Sequence, residues 1–430
     1  MSHFLVATMP EPGHVHPAVP VVTALLARGH RVTWHSGPEA ETVIRNTGAQ
    51  FVRWRHTIGF DELPLAPDPG TRGGAALVSA LRNHVLDRMP GQLADYEAIA
   101  LADPVDAVLV DACSFGARAL HERHGVPWAT LGTTPFYAMS PDTPLYGTGR
   151  PPPAGPFGRL YCRLANRVVR FVMREATDLY ARQRAALGLP RLPAGTSPLD
   201  HMISDQLHLQ ASTPLIEYPR RPWPSHVHFA GPLLPAAPAE AALPPWWPEL
   251  AWARVVVHVT QGTVTDHPVV LIEPALRALA GLDGLVVVTT RDPGELVGVP
   301  ANARVERYIP HSLLLPHVDV MITNGGFNGT KAALAHGVPV VIAPAGHDKP
   351  DVAARVGWAG AGIDLRTVGP TESAIATAVR TVLTDGSYRA AARRIQAEFR
   401  RYPDGDVAAA LLERLATGRL ADPVRPGRAG

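Results

Sequence analysis

Short apolar runs recur along this chain, each followed by a turn rich in glycine, asparagine or proline and then by a helical pattern. That order limits the fold more than any other feature. Strand–helix alternation closes most readily into a parallel sheet covered on both faces. Residues 4–8 read as a strand, 10–17 as a loop, and 18–28 as a helix that stops at Gly29. A strand begins at 31–34, another spans 107–110 and ends at Asp111, and a helix is expected over 115–124. The pattern restarts in the second half, with strands at 254–260, 285–290, 318–323 and 338–343. There is no sequence repeat, only the same architecture twice.

Two stretches interrupt the alternation. Residues 134–175 combine proline and glycine with aromatic side chains, which favours a long irregular loop leading into helices. Residues 213–250 are dense in proline, which forbids a regular helix or central strand, and read as a linker. At 430 residues the chain exceeds one ordinary core. The expected fold is α/β, with two Rossmann-like parallel-sheet domains facing across a cleft. Residues 1–212 form the first domain and 251–420 the second, whose C-terminal helices could return to the first; 421–430 is a tail. Ligands of such sheets sit beyond the carboxyl ends of the strands, where the loops 10–17 and 324–330 fall.

Composition excludes several classes. Net charge is +2 with the signs interspersed, so no basic stripe points to nucleic acid. The two cysteines, Cys113 and Cys162, lie in no CxxC or Cys/His cluster, which argues against structural zinc and fits a reducing cytoplasm. The N-terminal apolar run has no basic region before it and reads as a core strand. No window has about 18 uninterrupted apolar residues, so no membrane insertion is expected.

The sequence MITNGGFNGTKAALAHGVPVVIAP, residues 321–344, places Asn324, Gly325, Gly326, Asn328, Gly329 and Thr330 where a strand hands over to a helix. Glycine lets the backbone approach a ligand closely, and the first N–H groups of a helix lack partners. A diphosphate there would meet free donors and the positive helix end. The bland reading is a turn and cap. No GxxxxGK[ST] occurs, so this is not a P-loop, and the first strand carries no GxGxxG, which weakens a nicotinamide reading. Gly262 and Thr263, after the first strand of the same half, could add donors.

In the first half, MPEPGHVHP sets His14 after Gly13 at a strand-to-helix junction. A neutral imidazole there could take a proton from a hydroxyl, and Asp111 could stabilise the resulting imidazolium. The alternatives are a solvent-facing His14, a helix-capping Asp111, or His14 and His16 as metal ligands, for which no third ligand is near in sequence. Asp404-Gly-Asp406 reads as a turn rather than a metal motif, and His311 and His336 as ordinary residues.

Together these segments resemble the GT-B nucleotide-sugar glycosyltransferases, of the bacterial natural-product type related to UDP-glycosyltransferases. GHVHP resembles the family's GHxxP loop, VLVDACSFGARAL the segment with its partner Asp, and HFAGPLLP its Val-Gly-Pro stretch. RVERYIPHSLLLPHVDVMITNGGFNGTKAALAHGVPVVIAPAGHDKPDVAARV resembles its donor-binding signature, so the likeness covers almost the whole chain. The resemblance implies an inverting, metal-independent enzyme without a cofactor beyond its nucleotide-sugar co-substrate. It makes His14 the general base and Asp111 its partner. It puts Tyr308 against the nucleotide base, residues 324–330 around the diphosphate, and Asp348 and Lys349 at the sugar hydroxyls.

Three positions depart from the family. Asn324 stands where most members have His, Gly329 where many have a hydroxyl residue, and Lys349 where they have Gln. A lysine donates but cannot accept, which makes a dTDP-deoxyhexose as serious a donor as a UDP-hexose. The acceptor loop composition fits a lipophilic small molecule with a free hydroxyl. Rival readings are a nucleotide-sugar epimerase on the same fold and a non-catalytic helper protein that binds nucleotide sugars.

Overall fold

The apolar runs assemble into two all-parallel sheets in a computed structural model, which describes residues 1–59, 62–63, 72–236, 242–262 and 270–420. Thr263 and the expected tail 421–430 lie outside the described residues. The first sheet contains β1 (His3–Ala7), β2 (Arg31–Ser36), β3 (Gln50–Arg53), β4 (Ala107–Asp111), β5 (Trp128–Gly132), β6 (Leu207–Gln210) and β7 (Val227–Phe229). Its strand order is β3-β2-β1-β4-β5-β6-β7. The second contains β8 (Val256–Thr260), β9 (Leu285–Thr289), β10 (Ala303–Glu306), β11 (Val320–Thr323), β12 (Val340–Ile342) and β13 (Gly362–Asp364). Its order is β10-β9-β8-β11-β12-β13. Helices cover both faces, which is why β1, β4 and β5 are buried along their full length, and β1 and β4 read as near-continuous apolar runs.

In each sheet the order reverses beside the first strand, between β1 and β4 and between β8 and β11. Helices leave to opposite faces at such a point, so a crevice opens past the strand ends. The register Ala7↔Val110 brings the loop before His14 beside Asp111. The register Thr323↔Thr260 brings Gln261–Gly262 beside Asn324–Gly325.

Two segments differ from expectation, each for a physical reason. The helix expected from residue 18 begins at Pro12 (Pro12–Ala27), because proline is tolerated at the first helical position, where its missing N–H would be unsatisfied anyway. The proline-dense segment 213–250 contains β7 and a 3₁₀ turn, Trp247–Ala251. β7 is an edge strand flanked by Pro224 and Pro232, where proline costs no ladder bond. The stretch 134–175 is, as expected, an irregular loop that leads into a helix, Gly155–Val172.

The last helix, Asp406–Ala416, packs on the first sheet rather than the second. Ala408, Leu411, Leu412 and Leu415 share a core with Phe4, Val21 and Leu25. Arg28 bridges to Asp406 at 3.0 Å and to Glu413 at 3.2 Å. Two further contacts tie the domains. The fully buried Lys331 ammonium donates to the Ala211 carbonyl at 3.0 Å, and Arg355 pairs with Glu217 at 3.0 Å.

Candidate active site

β1 and β4 are neighbours, so the loops at their carboxyl ends meet. His14 sits in the first turn of Pro12–Ala27, and its Nδ1 lies 2.9 Å from Asp111 Oδ2. Asp111 is buried, and two amides hold it: Met9 N–H at 2.7 Å on Oδ2 and Cys113 N–H at 2.9 Å on Oδ1. An acceptor-only carboxylate on Nδ1 fixes the proton there and leaves Nε2 as the basic nitrogen of the neutral ring. Nε2 has no hydrogen-bond partner among the described residues, and the side chain is 24% exposed.

Three carboxyl groups act on the His14 ring. Burial opposes the His14 imidazolium, but Asp111, through charge and hydrogen bond, together with Glu11 and Asp348, outweighs it and lifts His14 to about 9. Glu11 itself is raised by burial, and its Oε2 is buried without a hydrogen-bond partner among the described residues. Burial also raises Asp348, which lies across the cleft before the helix Lys349–Trp358. Burial lowers His84, which feels the charges of both His14 and His347.

The facing wall is the helix Phe327–Ala335. Gly326 caps it without a side-chain bond, and Thr330 N–H already donates to Gly326 O at 3.0 Å. The amides of Phe327, Asn328 and Gly329 are left without partners among the described residues, three donors at the positive end of a helix. Gly325 has φ +89°, and a Cβ there would come within 2.8 Å of Ile342 Cγ2, so the tight turn requires glycine. Gly329 has room for a methyl, its nearest neighbours lying at 3.6 Å.

The two walls touch. Pro17 has no N–H to give to Gly13 O, its i−4 carbonyl, and that carbonyl instead accepts from Asn328 Nδ2 at 3.3 Å. One proline thereby ties the His14 turn to the glycine-rich helix start.

Not every expected ligand faces the cleft. Asn324 is buried; its Nδ2 donates to Gln261 O and its Oδ1 accepts from Gly326 N–H at 3.3 Å. The side chain that replaces the family's histidine therefore bridges the two loops and takes one of the amides expected for phosphate. Thr330 is also buried, its hydroxyl without a partner among the described residues. Lys349 turns its ammonium to Ala345 O at 3.1 Å, and burial lowers its pKa. Tyr308 follows β10 and is 75% exposed, its ring open to solvent. Gly262, at φ +76°, lies against Asn324.

Among the described residues, His14, Asp111 and Cys113 bring their ligand atoms within 4.8 Å of one another; His16 is not part of that group. An ion there would have to displace the His14–Asp111 bond, and burial holds the Cys113 thiol well above its usual range.

Known proteins supply the context for this geometry. Residues 273–415 match the family described as "Erythromycin biosynthesis protein CIII-like, C-terminal domain". The 4'-demethylrebeccamycin synthase of Lentzea aerocolonigenes is 41% identical over 406 residues, covering 93% of this chain and 96% of that protein. The chain belongs to the GT-B natural-product glycosyltransferases. In fold, this glycosyltransferase resembles the kitacinnamycin glycotransferase, with TM-score 0.74 and 23% identity over 96% of this chain and 99% of that one. It also resembles the spinosyn rhamnosyltransferase SpnG complexed with thymidine diphosphate, with TM-score 0.69 and 23% identity over 96% and 99%.

Three residues of the glycosyltransferase's cleft escaped the sequence reading. Glu11 stands three residues before His14, at the N-cap of the same helix. Tyr137 and Tyr146 come from the aromatic loop, their rings edge-to-face at 5.8 Å, and Tyr137 feels the charge of Asp111. The signal for them was the composition of PFYAMSPDTPLYG, which marks an aromatic wall without saying which ring faces the dyad.

Proposed function

We propose that this glycosyltransferase moves a hexose or deoxyhexose from a dTDP- or UDP-sugar to a hydroxyl of a lipophilic small molecule, with inversion. The acceptor hydroxyl gives its proton to His14 Nε2 as its oxygen attacks the anomeric carbon, and Asp111 stabilises the imidazolium formed. The nucleotide diphosphate leaves with the bond's electron pair. Its charge is met by the Phe327, Asn328 and Gly329 amides and the helix end, which take the place a metal ion would otherwise fill. Tyr137 and Tyr146 hold the acceptor. Tyr308 stacks on the base, and Asp348 receives sugar hydroxyls. The enzyme needs no cofactor beyond its co-substrate and works in the reducing cytoplasm, in keeping with its free cysteines.

One observation carries the reading. A carboxylate-oriented histidine with an unpartnered Nε2 faces three open helix amides across a cleft joined by the Gly13–Asn328 bond. Inward-turned Asn324 and Lys349 leave backbone donors to hold the phosphates, so donor choice rests on nucleotide and sugar contacts elsewhere. Calorimetric titration with dTDP, UDP, ADP and GDP tests the donor half, and the anomeric coupling constant of the product tests inversion. The reading expects binding of dTDP or UDP and an inverted product. Failure of all four to bind, or retention of configuration, would overturn it.

A further inference from the structure

The helix Gly155–Val172 carries an apolar stripe that stays exposed among the described residues. Phe157, Leu160, Tyr161, Leu164, Val168 and Phe171 recur at three- and four-residue steps and are 51–85% exposed. Of its 18 residues only Cys162 is buried. The same helix holds Arg159, Arg163, Arg167 and Arg170 and no acidic residue, in a chain whose whole net charge is +2. These four arginines lie on one flank of the stripe, at the same spacing. Arg159 pairs with Asp142 at 3.2 Å and Arg170 with Asp200 at 2.7 Å. Arg163 and Arg167 have no ion pair among the described residues. Arg174, which opens the next helix, lies over the Phe171 ring at 4.6 Å.

We infer that the Gly155–Val172 helix docks this glycosyltransferase on an anionic membrane surface, beside the mouth of its acceptor cleft. An exposed aromatic and aliphatic face with a cationic flank is the pattern of a helix that lies in the plane of a lipid interface. Each free arginine gains further from anionic headgroups. No helix among the described residues is long and apolar enough to cross a membrane, so the contact is peripheral. A second copy of the chain fits less well, because a two-fold contact through this face would set the arginine flank near its own copy. The helix is pinned to the acceptor loop: Asn166 Nδ2 donates to Ser140 O at 3.1 Å, and Arg150 donates to Tyr161 Oη at 2.9 Å. That loop carries Tyr137 and Tyr146. A lipophilic acceptor dissolved in the bilayer would meet the cleft without crossing water. The acceptor role rests on the proposed function, whereas the docking does not, and the test below requires no turnover.

The full chain is sedimented with vesicles of phosphatidylglycerol mixed with phosphatidylcholine, and with phosphatidylcholine alone. Binding to the anionic vesicles is expected, weakening as salt rises. Arg163→Glu/Arg167→Glu should weaken it by about tenfold or more. Phe157→Ser/Leu164→Ser/Phe171→Ser should abolish it with circular dichroism and unfolding midpoint unchanged, since all three side chains are exposed. No sedimentation of the wild type, equal binding to neutral vesicles, or binding undiminished in both variants would overturn the inference. So would concentration-dependent self-association or capture of a defined protein partner that the triple variant loses, in the absence of vesicle binding.

Discussion

The His14–Asp111 pair sets a definite pH profile. Acidic neighbours hold His14 at about 9, against burial. At pH 7 the free enzyme therefore has the neutral, proton-accepting ring in about one molecule in a hundred. kcat/KM, which reports the free enzyme, should climb about tenfold per pH unit from 7 and level off above 9. The acceptor must have a hydroxyl that does not titrate in that range. Asp111→Asn removes the opposite charge at 2.9 Å, worth about 1–3 pH units on a neighbouring group. The midpoint should fall by that amount. The plateau should drop by about 10²–10⁴-fold, because the imidazolium loses its partner and the ring its orientation. Initial rates from pH 6 to 10 on both proteins decide the matter, and an Asp111→Asn profile still centred near 9 would refute the electrostatic reasoning. Stability follows the same linkage. The folded pKa exceeds the unfolded value, so the pair stabilises the fold fully below about 6.5, by roughly 3 kcal/mol, and loses that as pH rises through about 9.

Other parts of the molecule give independent tests. Gly325→Ala forces a Cβ to 2.8 Å from Ile342 Cγ2 at φ +89° and should lower stability by about 1–3 kcal/mol in urea, whereas Gly329→Ala should be close to neutral; equal effects would contradict the turn geometry. Asn324→Ala unties the two loops, removing the donor to Gln261 O and the acceptor of Gly326 N–H, which should cost about 1–3 kcal/mol and weaken dTDP or UDP binding in titration calorimetry. Burial lowers Lys331 to about 7, against about 10.4 unfolded, so folding sheds a proton and stability gains a rising component across that window. Lys331→Met should remove that component, so its stability should fall more steeply with pH than the wild type's, in which the Lys331 gain offsets the His14 loss; an unchanged slope between pH 7 and 9.5 would count against an amine held dry between the domains.

Much of this was legible in the sequence because parallel strands are buried on both faces. The runs that became β1, β4, β9, β11 and β12 are largely continuous apolar stretches, β8 is broken only by His258, and the loops after β1 and β4 and after β8 and β11 meet at the strand-order reversals. Short or polar strands such as β3, QFVR, and β13, GID, carry no such signal. The Pro12 helix start was missed because proline reads first as a breaker, although at the first helical position it costs nothing. β7 was hidden by its flanking prolines. At the site, residue types pointed to His14, Asp111 and the glycine-rich turn. Side-chain direction was not legible. Asn324 and Lys349 could face ligand or protein, and only the register of β8 beside β11 and the packing around Ala345 turn them inward. The Gly13–Asn328 bond joins residues 315 positions apart, and no local pattern announces it.

The most direct test of the account is transfer by His14→Ala, measured in single turnover beside calorimetric binding of the nucleotide diphosphate. If His14 is the base and the helix amides hold the diphosphate, transfer falls by about 10²–10⁴-fold while nucleotide affinity stays within a few-fold of wild type. Transfer at the wild-type rate would remove His14 from the chemistry and contradict the central claim.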